Sequence, residues 1–344
     1  MKIGGRIEIV MKVEIAVASD KRFFPGLFMT VCSVAHNADR SVELVFHVLD
    51  GGIESSQREE LEQALANEHP RASLHWLDID TKIFDGLPEW RGCGKMTWAR
   101  LLLPRLLPDS HWVIYFDVDF LCLGDVAELW QKRDDDISLM SVPDNWPIAV
   151  PAEKAWFEKH GFRFDSSRYF CAGFCFFNLE RIRNQHLEDE FKKVISIGGF
   201  VAHDQSVLNA VFSDRDDLRL LDRKWQTYTR DMTEDDLSRR PMIHYAGDAP
   251  WVCFRINRIF NDSAVLWFRV YAKLKRISVW KALREFYSPV EIVGYRGFYL
   301  MLSRIKPIRK LLHQYFEMIG HKESVVIYDA LLHKVDIPTL DAIW

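Results

Sequence analysis

Short apolar runs alternate with amphipathic segments through the first part of the chain. Compact apolar runs that end in polar or glycine residues predict buried strands at 13–18 and 42–49. Apolar positions at helical spacing predict helices at about 25–35 and at 55–67. A further short strand is predicted at 73–77. This alternation indicates βαβ units and a largely parallel sheet.

One apolar run, 112–116, is followed directly by Asp117-Val118-Asp119. Its β-branched and aromatic residues predict a strand buried on both faces. Side chains at i and i+2 of an extended segment point the same way, so Asp117 and Asp119 are placed to meet one cation. Carboxylate oxygens suit magnesium or manganese better than zinc. The alternative is that both aspartates are solvated in the turn after the strand.

Other unusual polar groups lie at predicted strand ends, turns or helices. Arg100 lies on a helix predicted at 97–107 and interrupted at Pro104, and His244 follows a short apolar stretch. A lone histidine is usually a core or surface residue. Two carboxylates and a histidine around a metal, with an arginine nearby, would instead neutralise a diphosphate leaving group. The set therefore points to chemistry on a nucleotide diphosphate.

Composition narrows the functional class further. The 344 residues are 48% hydrophobic and 27% charged, as in a folded soluble protein, and the net charge of −4 gives no electrostatic argument for a nucleic-acid partner. The six cysteines are scattered and form no zinc-type pair, which predicts buried, reduced thiols. P-loop and dinucleotide glycine motifs are missing from the sequence.

The N-terminal segment does not have the apolar stretch of a signal peptide, and no apolar run approaches the roughly 20 residues of a spanning helix. We therefore expect a cytoplasmic protein.

The composition changes near residue 250. Beyond it, basic residues outnumber acidic ones and are interleaved with aromatic residues. This shift predicts a domain at 1–250 and a basic, aromatic helical region at 251–344. Basic residues facing headgroups, with aromatic residues at the interface, would give a membrane-surface contact through 255–322. The alternative is a small helical subdomain whose aromatic residues pack inside.

Seven blocks of the sequence occur in the order found in a known enzyme family. They are VASD (17–20), FHVLDGGI (46–53), MTWARLLLPRLLP (96–108), YFDVDFLCLGDVAELW (115–130), YFCAGFCFFNL (169–179), HDQSVLNAVF (203–212) and HYAGDAPW (244–251). Through these blocks, from about Val13 to Trp251, the chain resembles the family 8 glycosyltransferases, which are retaining galactosyl- and glucosyltransferases of bacterial lipooligosaccharide and lipopolysaccharide.

The resemblance implies a GT-A fold, a Rossmann-like and mostly parallel α/β sheet flanked by helices, with a helical C-terminal extension. It also implies a UDP-galactose or UDP-glucose donor, Mn²⁺ or Mg²⁺ as cofactor, and a cell-envelope glycan as acceptor. Family members from lipopolysaccharide pathways often carry basic, aromatic tails, which suits a lipid-linked acceptor. A peripheral location on the inner face of the membrane would suit such an acceptor.

The resemblance assigns roles to matching positions. Asp117, Asp119 and His244 would bind the metal, and Asp119 would also touch the ribose. The donor-binding residues would be Ala18, Asp20, Arg100, Cys171, Ala172, Gly173, Asp204 and Gly247.

Retention of configuration calls for a group beside the anomeric carbon. A glutamine is a poor nucleophile, so we expect Gln205 to stabilise positive charge during front-face attack within a short-lived ion pair. Asp204 is the alternative, as the nucleophile of a double displacement.

Three positions depart from the family pattern. Cys171 stands where an asparagine is common, Arg22 stands where a small amide is frequent near the base, and the segment after Gly247 has no lysine before Pro250-Trp251. These departures leave a non-catalytic or altered-donor nucleotide-sugar binder as one alternative. A haloacid-dehalogenase-type phosphatase is another, since its signature is also an apolar strand ending in D-x-D.

Overall fold

The computed structural model describes residues 10–89, 94–144, 149–247, 249–251 and 262–289. Internal contacts divide the chain into two compact units. The first unit comprises Met1–Val118 and Asp125–Arg223, and the second comprises Asp119–Gly124 and Lys224–Trp344. The sequence places a domain boundary at 250 instead, and that boundary stays a prediction.

The strands in the described residues are short, and five of these ten are buried along their whole length. They are β1 Lys12–Ser19, β2 Glu43–Asp50, β3 Ala72–Asp78, β4 Trp112–Phe116, β5 Phe120–Cys122, β6 Leu139–Ser141, β7 Phe174–Asn178, β8 Leu218–Leu220, β9 Thr227–Tyr228 and β10 Met242–His244.

Helices alternate with these strands along much of the chain, and several of the helices begin with a capping residue. They are α1 Phe24–Asn37, α2 Ser55–Glu68, α3 Leu103–Leu106, α4 Val126–Trp130, α5 Ala149–Lys159, α6 Leu179–Asn184, α7 Leu187–Ile197, α8 Asp204–Phe212, α9 Glu234–Ser238, α10 Asp262–Leu274 and α11 Val279–Phe286. Short 3₁₀ helices cover Thr81–Phe84, Lys95–Leu102, Arg223–Trp225 and Thr229–Asp231.

A seven-stranded sheet forms the centre of the first unit, with the order β3-β2-β1-β4-β7-β6-β8. The pairs β1–β2, β2–β3, β1–β4 and β6–β8 are parallel, whereas β7 runs antiparallel to both β4 and β6. The predicted α/β class with a largely parallel sheet is confirmed. Parallel strands need crossover connections, which α1 and α2 provide between β1, β2 and β3.

Burial follows the apolar pattern of the sequence. Every residue of β4 is buried, as expected for a strand covered on both faces. The helix α7 buries Leu187, Phe191 and Val194, which recur at helical spacing along one face. Four cysteines, Cys32, Cys122, Cys171 and Cys175, are buried free thiols, as predicted, while Cys93 and Cys253 lie outside the described residues.

Two predicted elements differ from the observed ones. The helix predicted at 97–107 is a 3₁₀ helix, Lys95–Leu102, followed by the single turn α3, which has Pro104 in its first turn. Proline is favoured there because its missing N–H would have no partner in any case. The strand predicted at 169–179 is limited to β7. Before it, Phe170 forms an isolated antiparallel bridge with Pro143, and residues 172–173 lie in the turn that carries part of the site.

The second unit contains the three-stranded sheet β5-β10-β9 and the helices α9, α10 and α11. Aromatic rings pack together around Trp267, which stacks on Tyr271 at 4.7 Å and lies 5.1 Å from Trp251. Trp280 is by contrast 49% exposed. Among the described residues, every helix is either too short or too polar to cross a bilayer.

Candidate active site

The carboxyl ends of the neighbouring parallel strands β1 and β4 carry the first residues of the site. Ala18 is the penultimate residue of β1, Asp20 follows that strand, and Asp117 follows β4 directly. Open α/β sheets bind their ligands at this edge. The Asp117 backbone N–H donates to the Gly173 carbonyl at 2.7 Å, which ties the turn before β7 to the end of β4.

Arg100 lies at the centre of the site and contacts two carboxylates. Its side chain is 2% exposed; Nη2 donates to Asp117 Oδ1 at 2.6 Å, and Nε lies 2.9 Å from Asp204 Oδ2. The guanidinium also donates from Nε to the Thr97 carbonyl at 2.9 Å and from Nη1 to the Ala172 carbonyl. A single buried cation therefore holds both acids in place.

Tyr115 covers the guanidinium from the β4 side. Its ring centre lies 4.5 Å from the Arg100 guanidinium carbon, and its hydroxyl donates to Asp117 Oδ1 at 3.0 Å. Sequence reasoning missed Tyr115. Its position two residues before Asp117 was an available signal, since alternate residues of a strand share one face.

Burial sets the electrostatics of this cluster. Burial acts to lower the pKa of Arg100, but the carboxylates of Asp117 and Asp204 outweigh it and hold that pKa well above the usual value. For Asp204, burial raises the pKa to about 6, and the Arg100 charge only partly offsets this effect. The Asp204 Oδ2 atom is buried and receives no well-directed hydrogen bond among the described residues, which agrees with the raised pKa.

Gln205 follows Asp204 at the start of α8 and has a fixed side chain. Its Oε1 accepts a hydrogen bond from the Ala172 N–H at 2.9 Å. Its Nε2 donates to Asp144 Oδ2 and to the Tyr169 hydroxyl, each at 3.0 Å. Neither Asp144 nor Tyr169 was predicted from the sequence. Asp144 lies three residues beyond the end of β6, and an acidic residue just after a buried strand was a signal that could have identified it.

The backbone of His203, immediately before Asp204, adopts an unusual conformation. Its φ is 56° and its ψ is −123°, a region that glycine favours and other residues rarely enter. The ring Nδ1 lies 3.1 Å from the Pro88 carbonyl, and the ring also faces Trp98 at 6.4 Å. Side-chain contacts thus maintain a strained turn that directs Asp204 and Gln205 into the site.

The turn 171–173 links these groups. Ala172 bonds Arg100 through its carbonyl and Gln205 through its N–H. The Cys171 thiol is buried and accepts from the Gly173 N–H at 3.3 Å. The structure therefore brings Arg100, Asp117, Ala172, Gly173, Asp204 and Gln205 into one bonded cluster of the first unit.

Asp20 is held by a residue that departs from the family pattern. Its Oδ2 accepts from Arg22 Nε at 3.1 Å and from Nη2 at 3.0 Å, and its Oδ1 accepts from the Arg22 N–H at 2.8 Å. Gly94 lies against this pair, where an added Cβ would come within 2.8 Å of Arg22 Nη2. Asp20 thus carries a partly exposed counter-ion at the end of β1.

Asp119 and His244 meet within the second unit. His244 ends β10 and lies opposite Phe120 of β5 in the antiparallel register. Its Nε2 lies 3.0 Å from Asp119 Oδ1, and the Tyr245 N–H donates to the Asp119 carbonyl at 2.9 Å. The imidazole ring lies between the rings of Phe120 at 4.3 Å and Tyr228 at 5.3 Å.

The turn after β10 ends at a conformation suited to close approach by a ligand. Gly247 has a φ of +71°, and an added Cβ there would have no heavy atom within 4 Å among the described residues. The open space beside this backbone is what the assignment of Gly247 to the diphosphate requires. Asp248 lies outside the described residues.

Comparison with known proteins shows which family the chain is similar to. The model of glycosyl transferase family 8 matches residues 14–252. General stress protein A of Bacillus subtilis (strain 168) is 26% identical over 214 residues, which cover 60% of this chain and 71% of that protein.

Solved structures share the fold. The galactosyltransferase LgtC, in complex with donor and acceptor sugar analogues, has a TM-score of 0.62 and 22% identity, covering 80% of this chain and 100% of that one. The bifunctional glycosyltransferase WbbM has a TM-score of 0.62 and 19% identity, covering 85% of this chain but only 52% of that one. The glycosyltransferase GlyE of Streptococcus pneumoniae TIGR4 has a TM-score of 0.55 and 16% identity, covering 82% and 64%. This chain thus spans about half of WbbM.

Proposed function

Because the chain belongs to glycosyl transferase family 8 and is therefore a glycosyltransferase, we propose that it transfers galactose or glucose from a UDP-sugar to a cell-envelope glycan with retention of configuration. The observation that carries the proposal is the buried cluster in which Arg100 holds Asp117 and Asp204 beside Gln205. Family membership removes the phosphatase alternative, which belongs to another class of enzyme.

Asp117, Asp119 and His244 are proposed to hold a divalent cation, Mn²⁺ or Mg²⁺. Two carboxylates and an imidazole form a donor set that fits these ions. In the second unit, Asp119 Oδ1 is buried beside His244 and receives no well-directed hydrogen bond among the described residues, which suits an atom that coordinates a cation. When bound, the ion would supply positive charge to the diphosphate leaving group.

Arg100 remains a proposed donor-binding residue. An arginine carries five N–H donors, and the bonds to Thr97, Ala172 and Asp117 use three of them. The remaining N–H groups would serve a donor sugar or phosphate oxygen. The charge of Arg100 would stabilise the diphosphate as the bond to the anomeric carbon breaks.

Asp204 and Gln205 are proposed to act at the sugar. Asp204 would hydrogen-bond the donor hydroxyl groups. The Gln205 amide oxygen would stabilise the positive charge on the anomeric carbon while the acceptor hydroxyl attacks from the face that UDP leaves. In the alternative double displacement, Asp204 attacks and forms a glycosyl ester. Mass spectrometry of the enzyme incubated with donor alone distinguishes the two, because only the second route yields a glycosyl-Asp204 adduct.

Residues at the end of β1 are proposed to bind the nucleoside. The backbone at Ala18 and the carboxylate of Asp20 would hold the uracil and ribose, and the turn at 171–173 and Gly247 would contact the sugar and diphosphate. Cys171 contributes less than an asparagine would, because its thiol is a weak hydrogen-bonding group.

A lipid-linked acceptor would place the enzyme at the inner face of the membrane. On α11, the side chains of Val279, Trp280, Lys281 and Arg284 are exposed, a combination typical of interfacial contacts. Within the proposed contact region 255–322, residues 255–261 and 290–322 lie outside the described residues. Flotation with anionic vesicles tests this contact: Trp280→Ala with Lys281→Glu should weaken binding, whereas neutral vesicles should bind poorly in either form.

UDP release from a panel of donors tests the function as a whole. With Mn²⁺ and no acceptor, UDP-galactose or UDP-glucose should be hydrolysed slowly, and EDTA or Asp119→Ala should abolish release. Asp214→Asn, at an exposed ion pair, is the matched control. Tight binding of UDP-sugar without any release would instead support a non-catalytic binder, the possibility left open by the missing lysine after Gly247. Failure to bind any UDP-sugar would refute both.

A further inference from the structure

The helix α5 carries a buried carboxylate that the proposed function does not use. Glu153 is 0% exposed. Its Oε1 accepts hydrogen bonds from the Ala202 N–H at 3.1 Å and from Ser206 Oγ at 2.7 Å. Its Oε2 is also buried and has no hydrogen-bond partner of good geometry among the described residues. An unsatisfied carboxylate oxygen in the interior is costly and calls for an explanation.

Tyr169 lies next to this carboxylate and is fully buried as well. Burial raises the pKa of Glu153, and hydrogen bonding from Ser206, Ala202 and the Tyr169 hydroxyl opposes that rise. The Tyr169 oxygen already accepts from Gln205 Nε2 at 3.0 Å. A hydroxyl that accepts one bond still has its own proton to donate, so that proton is available to Glu153.

The partners of the Gln205 amide decide which way the amide faces. The Ala172 N–H can only donate, so it requires the oxygen Oε1. An ionised Asp144 can only accept, so it requires the nitrogen Nε2. The Tyr169 hydroxyl can serve either atom, and only its own second partner makes it an acceptor toward Gln205.

We propose that Glu153 is a positioning residue that fixes the Gln205 amide through Tyr169. Its Oε2 accepts a hydrogen bond from the Tyr169 hydroxyl, and the Tyr169 oxygen accepts one from Gln205 Nε2. The Gln205 Oε1 atom is thereby held toward Ala172, on the side where Arg100 and Asp204 lie. The inference rests on the proposed function, in which Gln205 acts at the anomeric carbon.

The substitution Glu153→Gln reverses the direction of this chain of hydrogen bonds. The oxygen of the introduced amide must remain toward the Ala202 N–H and the Ser206 hydroxyl, so its NH₂ group faces Tyr169. The Tyr169 hydroxyl then has no acceptor for its proton on that side, while two amide donors, the introduced one and that of Gln205, face its oxygen. Tyr169→Phe removes that oxygen altogether. Ser206→Ala is the matched control, because it removes a bond to the other oxygen of Glu153 and leaves the Tyr169 side intact.

The first readout needs no activity. In protein labelled with ¹⁵N at its glutamines, the Gln205 side-chain NH₂ signal is identified by its loss in Gln205→Ala. Its proton chemical shift should change in Glu153→Gln and in Tyr169→Phe and should match wild type in Ser206→Ala, because the shift of an N–H proton depends on the geometry of the hydrogen bond that it donates.

The second readout is kinetic. In UDP-release assays, kcat should fall roughly 10- to 100-fold in Glu153→Gln and Tyr169→Phe, with the KM of the donor changed less than about threefold, as expected for a misplaced catalytic group. The double variant should be no slower than Tyr169→Phe alone, since Glu153 acts through Tyr169.

An unmoved Gln205 signal in Glu153→Gln would overturn the proposal, and so would a Ser206→Ala variant that reproduces the loss, because Glu153 would then act only through the start of α8. Additive losses in the double variant would also contradict it. If wild-type protein releases no UDP from any donor, the proposed function fails, and the amide signal still decides how Gln205 is held.

Discussion

Two buried aspartates of the first unit, Asp204 and Asp217, face arginines but differ in the hydrogen bonds that they receive. Asp217 accepts from Arg215 at 2.8 and 3.0 Å, from Ser138 at 2.6 Å, and from Arg181 and Gln185 at 3.3 Å. Burial acts to raise the pKa of Asp217, but these bonds, led by those of Arg215 and Ser138, hold it well below the usual value.

Asp204 has a poorer set of donors. Its Oδ2 is 2.9 Å from Arg100 but receives no well-directed hydrogen bond among the described residues. Burial therefore prevails and raises the pKa of Asp204 to about 6. Nearby arginine charge alone does not determine the pKa of a buried carboxylate; the depth of burial and the number of directed donors determine it as well. A carboxylate left short of donors has bonding capacity available for a substrate.

Removal of Arg100 should have the largest effect. Arg100→Met leaves Asp117 and Asp204 buried without their cation, so we expect a loss of about 3–5 kcal/mol in the free energy of unfolding and a fall of roughly 10³-fold in kcat/KM. Urea unfolding and UDP release measure the two. Arg163→Met, at the exposed pair with Asp214, is the control and should change neither noticeably. A stable, active Arg100→Met enzyme would mean that the cluster does not depend on Arg100.

Loss of Asp217 should affect stability but not chemistry. Asp217→Ala removes the carboxylate that pairs with the partly exposed Arg181 and Arg215 and accepts from the buried Ser138. It should lower the free energy of unfolding by about 2–4 kcal/mol. The folded enzyme should keep its kcat within about twofold, because Asp217 makes no contact with the candidate site among the described residues. A large fall in kcat at full folding would remove the distinction between the two aspartates.

The two aspartates should respond oppositely to pH. The pKa of Asp204 is raised to about 6 from 3.8, so the folded state binds more protons than the unfolded state between those values. The raised pKa therefore costs stability, and the cost builds up as pH rises from 3.8 to about 6 and is complete above that value. Asp204→Asn should raise the free energy of unfolding at pH 8 on the order of 1–3 kcal/mol, and this gain should vanish near pH 4.

Asp217→Asn supplies the matched comparison for that experiment. Because the pKa of Asp217 is lowered, its contribution is present above pH 3.8 and is lost as pH falls further. The variant should be less stable than wild type at pH 8, with the difference narrowing below about pH 4. Equal pH profiles for the two asparagine variants would contradict the contrast in hydrogen bonding.

The smallest effect is expected at an exposed aspartate–arginine pair. Asp214 and Arg163 lie 2.8 Å apart, but their side chains are 53% and 74% exposed. Asp214→Asn should change the free energy of unfolding by less than about 0.5 kcal/mol, measured by urea unfolding at low salt. A change of several kcal/mol would show that proximity to arginine, rather than burial and directed donors, governs all three aspartates.

The backbone of the site could be predicted well from the sequence. The apolar run 112–116 predicted a doubly buried strand, and Asp117 does follow such a strand. The alternation of apolar runs and helices predicted the parallel pairs β1–β2 and β2–β3. Local patterns succeed here because apolar burial repeats along the chain with the period of each element.

The side-chain network could not be predicted from the sequence. Gln205 bonds Asp144 and Tyr169 across 61 and 36 residues, and Arg100 bonds Ala172 across 72. No local pattern encodes such pairs, and Glu153 within α5 gives no signal at all. The helix predicted at 97–107 is present as a 3₁₀ helix, Lys95–Leu102, followed by the turn α3, and the sequence did not indicate that division.

The stacking of His244 between Phe120 and Tyr228 has a consequence for the proposed cation site. The rings are nearly parallel, at 16° and 22°, so the imidazole has little freedom to rotate. The loss of rotamer freedom of that side chain costs about 1 kcal/mol or less, and this cost falls on folding rather than on the binding of an ion. In the proposed cation site, an incoming ion would therefore meet an imidazole that is already in position, and the ring would keep that position after the ion leaves.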